Sequence, residues 1–167
     1  KYSIYWPEFY TATILEWKHL LKPDKYKHKI IESLQYLTSH EVITLYAFVI
    51  MSNHIHLIWQ ALPGKTPTQI QHSFMKYYQF WERNALGIEL RTHAVFMQKL
   101  EYIHWNPVKA GLCKYPEEYY FSSAKFYETG VDDFKMLTHC WCYVTIALRM
   151  LVNKTNIGVW SYLVINP

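Results

Sequence analysis

His54 and His56 stand one residue apart in the run Ser52-Asn53-His54-Ile55-His56-Leu57. In an extended chain side chains alternate between faces, so both imidazoles share one face, and Ile55, Leu57 and Trp59 share the other. Their Cβ atoms are then about 7 Å apart. At that spacing two imidazoles can share one cation, and histidine is the commonest metal ligand near neutral pH. A bare His-x-His by itself reads first as two half-exposed histidines on a sheet face. Two other His-x-His chemistries fit poorly: Ile58 stands where a His-x-His-x-Asp hydrolase wants an acid, and no second His-x-His exists for a two-histidine phosphoesterase. His19, His28, His40, His72 and His139 are scattered without ligand spacing, and no pattern places His93 or His104.

The second group of chemical interest is Gln98, Tyr102 and Asn106, a row at i, i+4, i+8. Phe96, Leu100 and Ile103 form the apolar stripe of the same segment. At the helical period Tyr102 lies about 100° from Ile103 and about 200° from Leu100, away from the centre of the stripe. On the helix alone it reads first as a surface tyrosine. Beside a metal-bound phosphate it reads as a nucleophile, because a cation polarises phosphorus and offsets the charge that develops there. An Asn106 carboxamide oxygen would complete an N,N,O set suited to Mn²⁺ or Mg²⁺ with positions left open for phosphate oxygens. Lys99, three residues before Tyr102, is expected to favour the phenolate or hold a phosphate.

The elements that must position these groups follow from pattern. Phe9–Leu15 alternates and is rich in β-formers, so it predicts a first strand. Pro23-Asp24 opens an amphipathic helix to about His40. Val42–Met51 and His54–Gln60, joined by Ser52-Asn53, predict an antiparallel hairpin. A second helix is expected from Pro67 to about Trp81, then a short strand at Ile88–Thr92. A third helix is expected over Val95–Asn106, stopped by Pro107. A short helical stretch follows Ser122-Ser123. This order predicts an α+β domain, a ferredoxin-like antiparallel sheet with helices packed on one face.

At 167 residues the chain fits one core, and 51% hydrophobic with 18% charged residues excludes a disordered chain. Seven Trp and fifteen Tyr are many; such rings fill cores and also stack on unpaired bases. A formal charge of +4 permits a polyanionic partner without requiring one. The odd set Cys113, Cys140 and Cys142 argues against a disulfide framework, and Cys140-Trp141-Cys142 has no second ligand pair for a structural zinc. The start of the chain lacks a charged-then-apolar leader, so the cytoplasm is the expected compartment. The apolar run Cys140–Val152, broken by Arg149, is too short for a membrane span and suits a terminal helix or a partner interface.

Three motifs in order resemble the single-tyrosine HUH transposases, closest to the REP-associated tyrosine transposases (an IS200-like transposase domain). Tyr46-Ala47-Phe48-Val49-Ile50-Met51-Ser52-Asn53-His54-Ile55-His56-Leu57-Ile58 is similar to the family's Met-x-Asn-His-x-His-Leu strand. Tyr102-Ile103-His104-Trp105-Asn106-Pro107-Val108-Lys109-Ala110-Gly111-Leu112 is similar to its Tyr-Ile-x-x-Asn-Pro-x-x-Ala-Gly block. Tyr119-Tyr120-Phe121-Ser122-Ser123-Ala124 is similar to the Tyr-x-x-Ser-Ser-Ala that follows, and Phe9-Tyr10-Thr11-Ala12-Thr13 is a weaker match to the first strand. The resemblance covers residues 9–139, so the domain is placed at residues 1–139, with 140–167 an unassigned tail.

The resemblance implies a ferredoxin-like domain and a metal-dependent single-strand DNA endonuclease and strand transferase. It implies that Tyr102 forms a 5′-phosphotyrosine and releases a 3′-hydroxyl. It assigns a divalent metal, Mg²⁺ or Mn²⁺, to His54, His56 and Asn106. It implies single-stranded substrates with hairpins or palindromic repeats, and either a monomer or a homodimer with exchanged helices. Lys76, Arg83, Lys99 and Lys109 flank the expected site and are candidates for phosphate contacts. The alternative is a non-catalytic or domesticated module that binds repeat hairpins, since ferredoxin-like sheets also stack bases on aromatics.

Overall fold

The computed structural model describes residues 5–78, 80–82 and 85–140. Four strands form one antiparallel sheet: β1 (Glu8–Thr13), β2 (Ile43–Ile50), β3 (His54–Ala61) and β4 (Leu86–Glu89), in the order β2-β3-β1-β4. Helix α1 (Asp24–Ser39) connects β1 to β2, and α2 (Pro67–Tyr77) connects β3 to β4. This is the ferredoxin-like βαββαβ arrangement, with the α+β class and antiparallel sheet as expected. Two further helices follow, α3 (His93–Lys109) and α4 (Ala124–Thr129).

Strand alternation divides the core into two layers. Tyr10, Ala12, Leu45, Phe48, Ile50, Ile55, Leu57 and Trp59 face α1 and α2, where Ile30, Ile31, Leu34, Ile70 and Phe74 close on them. Phe9, Tyr46, Ala47, Val49 and Ile58 face the other way and meet Phe96, Leu100 and Ile103 of α3. Thus α1 and α2 form the expected layer on one face, and α3 lies across the face that carries the two histidines. A bulge between Leu45 and Ala47 in β2 sets both Tyr46 and Ala47 on the α3 side, widening the seat for Phe96. Phe96 is fully buried and meets Tyr46 edge-on at 5.5 Å. Phe96→Ala should cost about 3–5 kcal/mol in urea unfolding; a loss under about 1 kcal/mol would mean that α3 is held elsewhere.

Several element limits differ from the sequence reading. The first strand ends at Thr13, and Leu15–Trp17 forms a 3-10 turn instead. Helix α2 ends at Tyr77, because Tyr78 is extended and Trp81 pairs with Ile14 and packs on Phe74. The fourth strand ends at Glu89, and Thr92 is drawn into capping α3, its side chain accepting from the Val95 N–H. Pro107 does not stop α3, which runs on to Lys109. A proline in the last turn forfeits one hydrogen bond, and Pro107 buries its ring in line with Phe96, Leu100 and Ile103. The chain leaves the helix at Gly111, whose φ of 70° suits a residue without Cβ.

The outer edge of β2 is covered by later chain: Ile50 N–H donates to Phe121 O, Ser123 N–H to Phe48 O and Thr138 N–H to Leu45 O. Cys140 packs in the α3 layer, and the rest of the expected tail, including Cys142, lies outside the described residues. Among the described residues no helix is long and apolar enough to cross a membrane.

Candidate active site

β3 pairs with β1 so that His56 stands opposite Thr11 and His54 opposite Thr13. Burial of the α3 stripe turns the neighbouring flank of that helix, Lys99, Tyr102 and Asn106, toward the same patch of sheet. The result is convergence within one chain. The two imidazole rings are 4.9 Å apart, and the Tyr102 ring meets His56 edge-on at 5.1 Å and Phe9 at 5.8 Å. Asn106 Oδ1 lies 3.3 Å from His54 Nε2. Lys99 Nζ is 5.8 Å and Lys109 Nζ 5.7 Å from the Tyr102 ring centre. Tyr102 remains 41% exposed, so an outside molecule can reach it.

Each imidazole is oriented by a partner on its far nitrogen. His54 Nδ1 is 2.7 Å from Asn53 Oδ1, so a proton on that nitrogen has an acceptor at short range. In that tautomer His54 Nε2 presents a lone pair toward the Asn106 carboxamide oxygen; in the other it donates to it. Burial lowers the His54 pKa, with a smaller opposing contribution from Asn106, and keeps the ring neutral. With the proton on Nδ1, Nε2 and Asn106 Oδ1 are two lone-pair donors 3.3 Å apart, close to the roughly 3 Å spacing of neighbouring ligands on one hard cation. His56 Nδ1 lies 2.8 Å from Thr11 Oγ1, and its buried Nε2 has no hydrogen-bond partner. With Nδ1–H donating to Thr11, that Nε2 is a bare lone pair. Burial, then His54 and Lys99, push the His56 pKa down to about 3. The donor chemistry therefore fits a cation: two neutral imidazole nitrogens and a carboxamide oxygen, with one nitrogen left unsatisfied. Among the described residues no cluster of three His, Cys, Asp or Glu side chains forms, so Asn106 is the third donor the geometry offers.

Other sequence candidates fall elsewhere. Lys76 is exposed on α2, the helix whose Phe74 packs on the opposite face of the sheet, so it does not flank this patch as expected. Arg83 lies outside the described residues. Gln98 is exposed on α3 beyond Tyr102. His104 lies on the other flank of α3, 3.0 Å from Ser123 Oγ, with its pKa pushed down to about 4 by burial. The sequence reading missed Thr11, Asn53 and Phe9, whose ring stacks on His56 at 5.4 Å and 19°. Asn53 was legible as the neighbour of His54; Thr11 required the β1–β3 register.

No family model and no curated protein matches the chain. Among solved structures it is similar to a REP-associated tyrosine transposase bound to a REP hairpin, with a TM-score of 0.60 at 18% identity over 83% of this chain and 88% of that one. The two share a fold. A candidate transposase from Deinococcus radiodurans R1 aligns over 60% of this chain and 90% of its own, at 14% identity and TM-score 0.40.

Proposed function

We propose that this protein is a transposase of the REP-associated tyrosine type, a metal-dependent nuclease and strand transferase acting on single-stranded, hairpin-forming DNA. One observation carries the reading: an accessible phenol, two neutral imidazoles and a carboxamide converge on a patch about the size of a phosphate. The fold shared with a transposase bound to a REP hairpin supports the same substrate class.

In this reading His54, His56 and Asn106 hold Mn²⁺ or Mg²⁺, which when bound draws charge from the scissile phosphate. Asn53 and Thr11 would hold the two imidazoles as Nδ1–H tautomers, leaving both Nε2 nitrogens to ligate the cation. Lys99 and Lys109 hold phosphate oxygens on either side of Tyr102. The Tyr102 hydroxyl oxygen bonds to phosphorus as the P–O3′ bond breaks, leaving a 5′-phosphotyrosine and a 3′-hydroxyl. All these groups come from one chain, which supports a reaction carried out within a single protomer.

The test mixes the protein, Mn²⁺ and end-labelled hairpin DNA and resolves the products on a denaturing gel. A protein-linked DNA band is expected. Binding without an adduct would favour the non-catalytic module. That module is disfavoured here because α3 covers the sheet face on which such domains stack bases.

Thr11 gives a separate expectation. Thr11→Val keeps the shape and removes the hydroxyl that orients His56, and should weaken Mn²⁺ binding about 10- to 100-fold in titration calorimetry. Thr11→Ser should restore it. Equal affinity in all three proteins would remove Thr11 from the site.

A further inference from the structure

We infer that Trp17 is a stacking platform for an unpaired nucleobase of the DNA strand whose phosphate lies at the histidine pair. The inference rests on the nuclease reading of that site and deepens it. Trp17 is 61% exposed, and its indole lies 6.2 Å from the His54 ring. His54 thus has Asn106 of α3 on one side and Trp17 on another. A base attached to a phosphate held there meets the indole as a neighbouring flat apolar surface.

The local backbone argues that this display is built. Glu16 and Trp17 both adopt left-handed conformations, φ 57° and 55°, which side chains with a Cβ seldom take. Two such residues in succession persist only when surroundings hold them, and such strain gathers at ligand sites. The surroundings are visible: Ile14 N–H donates to Asn53 O, Leu15 N–H to Phe80 O, Trp17 N–H to Ile14 O and Glu16 N–H to a Glu82 carboxylate oxygen. His19 Nδ1 lies 2.6 Å from Ser52 Oγ, tying the loop to the turn that precedes His54. These bonds hold a largely exposed indole beside the site. The Glu16 carboxylate is paired with Lys18 at 2.7 Å, which softens repulsion of an incoming backbone. Stacking on a π-face tolerates any base, so the platform would grip the strand without reading its sequence.

The test uses Tyr102→Phe protein, so that cleavage does not interfere, with labelled oligothymidylate and fluorescence anisotropy. In that background Trp17→Gly, which suits the positive φ, should raise the Kd about 5- to 150-fold, and Trp17→Phe should keep most of the affinity. With 2-aminopurine in the strand, quenching on binding should be lost in Trp17→Gly alone. Unchanged affinity and quenching in Trp17→Gly would overturn the inference. So would a change confined to self-association, which would assign Trp17 and the exposed Leu15 and Leu20 to a protein contact. The nuclease reading fails separately: an absent adduct in Tyr102-intact protein, alongside weakened single-strand binding in Trp17→Gly, would leave the platform standing.

Discussion

Tyr102→Phe is expected to abolish the protein–DNA adduct, lowering single-strand cleavage by at least ~10³-fold, while leaving DNA affinity unchanged. The substitution removes one oxygen. The ring and its edge contacts with His56 and Phe9 stay, so the fold and the metal donors should be untouched. The chain has fifteen tyrosines, and the reason to single out this one is environmental. Tyr119 donates its hydroxyl to Ile50 O, Tyr127 to Tyr46 O and Tyr46 to Gln60 Oε1. Burial pushes the Tyr119 pKa up to about 12 and raises those of Tyr10 and Tyr127 as well. Hydroxyls that are buried, engaged and hard to ionise are poor nucleophiles. Tyr102 is exposed and stands at the imidazoles. Mass spectrometry of a nuclease-trimmed adduct locates the linkage; a nucleotide on any other tyrosine would sink the assignment.

The histidine pair and the tyrosine helix were legible because each depends on one local period. Alternation along His54-Ile55-His56 sets both rings on one face whatever the rest of the chain does. The spacing of Phe96, Leu100 and Ile103 sets Tyr102 and Asn106 on the flank beside the buried stripe. What could not be read was which face of the sheet that helix would choose, and so whether the two groups meet. That is a tertiary matter, set by the packing of Phe96, Leu100 and Ile103 against Phe9, Tyr46, Ala47, Val49 and Ile58. Thr11 was hidden for the same reason, since its value lies in the residue opposite it in another strand. The misread boundaries share a cause: Thr92, Trp81 and Pro107 have strong local preferences that a cap, a bridge and a buried ring override. Lys76 illustrates the converse, because nearness along the chain says nothing about which side of a sheet a residue reaches.

His56→Ala is the second large effect expected. It deletes one of three donors and should weaken Mn²⁺ binding by about 100-fold or more, the order by which even orienting partners matter. Adduct formation should fall with it and recover only in part at raised Mn²⁺. The same residue predicts an acid sensitivity of the metal-free fold. An unfolded histidine protonates near pH 6.5, whereas His56 in the folded protein stays neutral to about pH 3. Because the folded pKa is depressed, the unfolded chain binds more protons through that window. The contribution of His56 is therefore fully present above about pH 6.5 and is lost as pH falls toward 3. Between about pH 6.5 and 4.5 the loss from this residue is about 2–3 kcal/mol. Urea unfolding of metal-free protein at those two pH values measures it: stability should fall by less in His56→Ala than in wild type. Identical pH slopes would mean that His56 is hydrated in the folded protein. A solvated ring would no longer be a bare lone pair awaiting a cation, and the metal assignment would lose its strongest support.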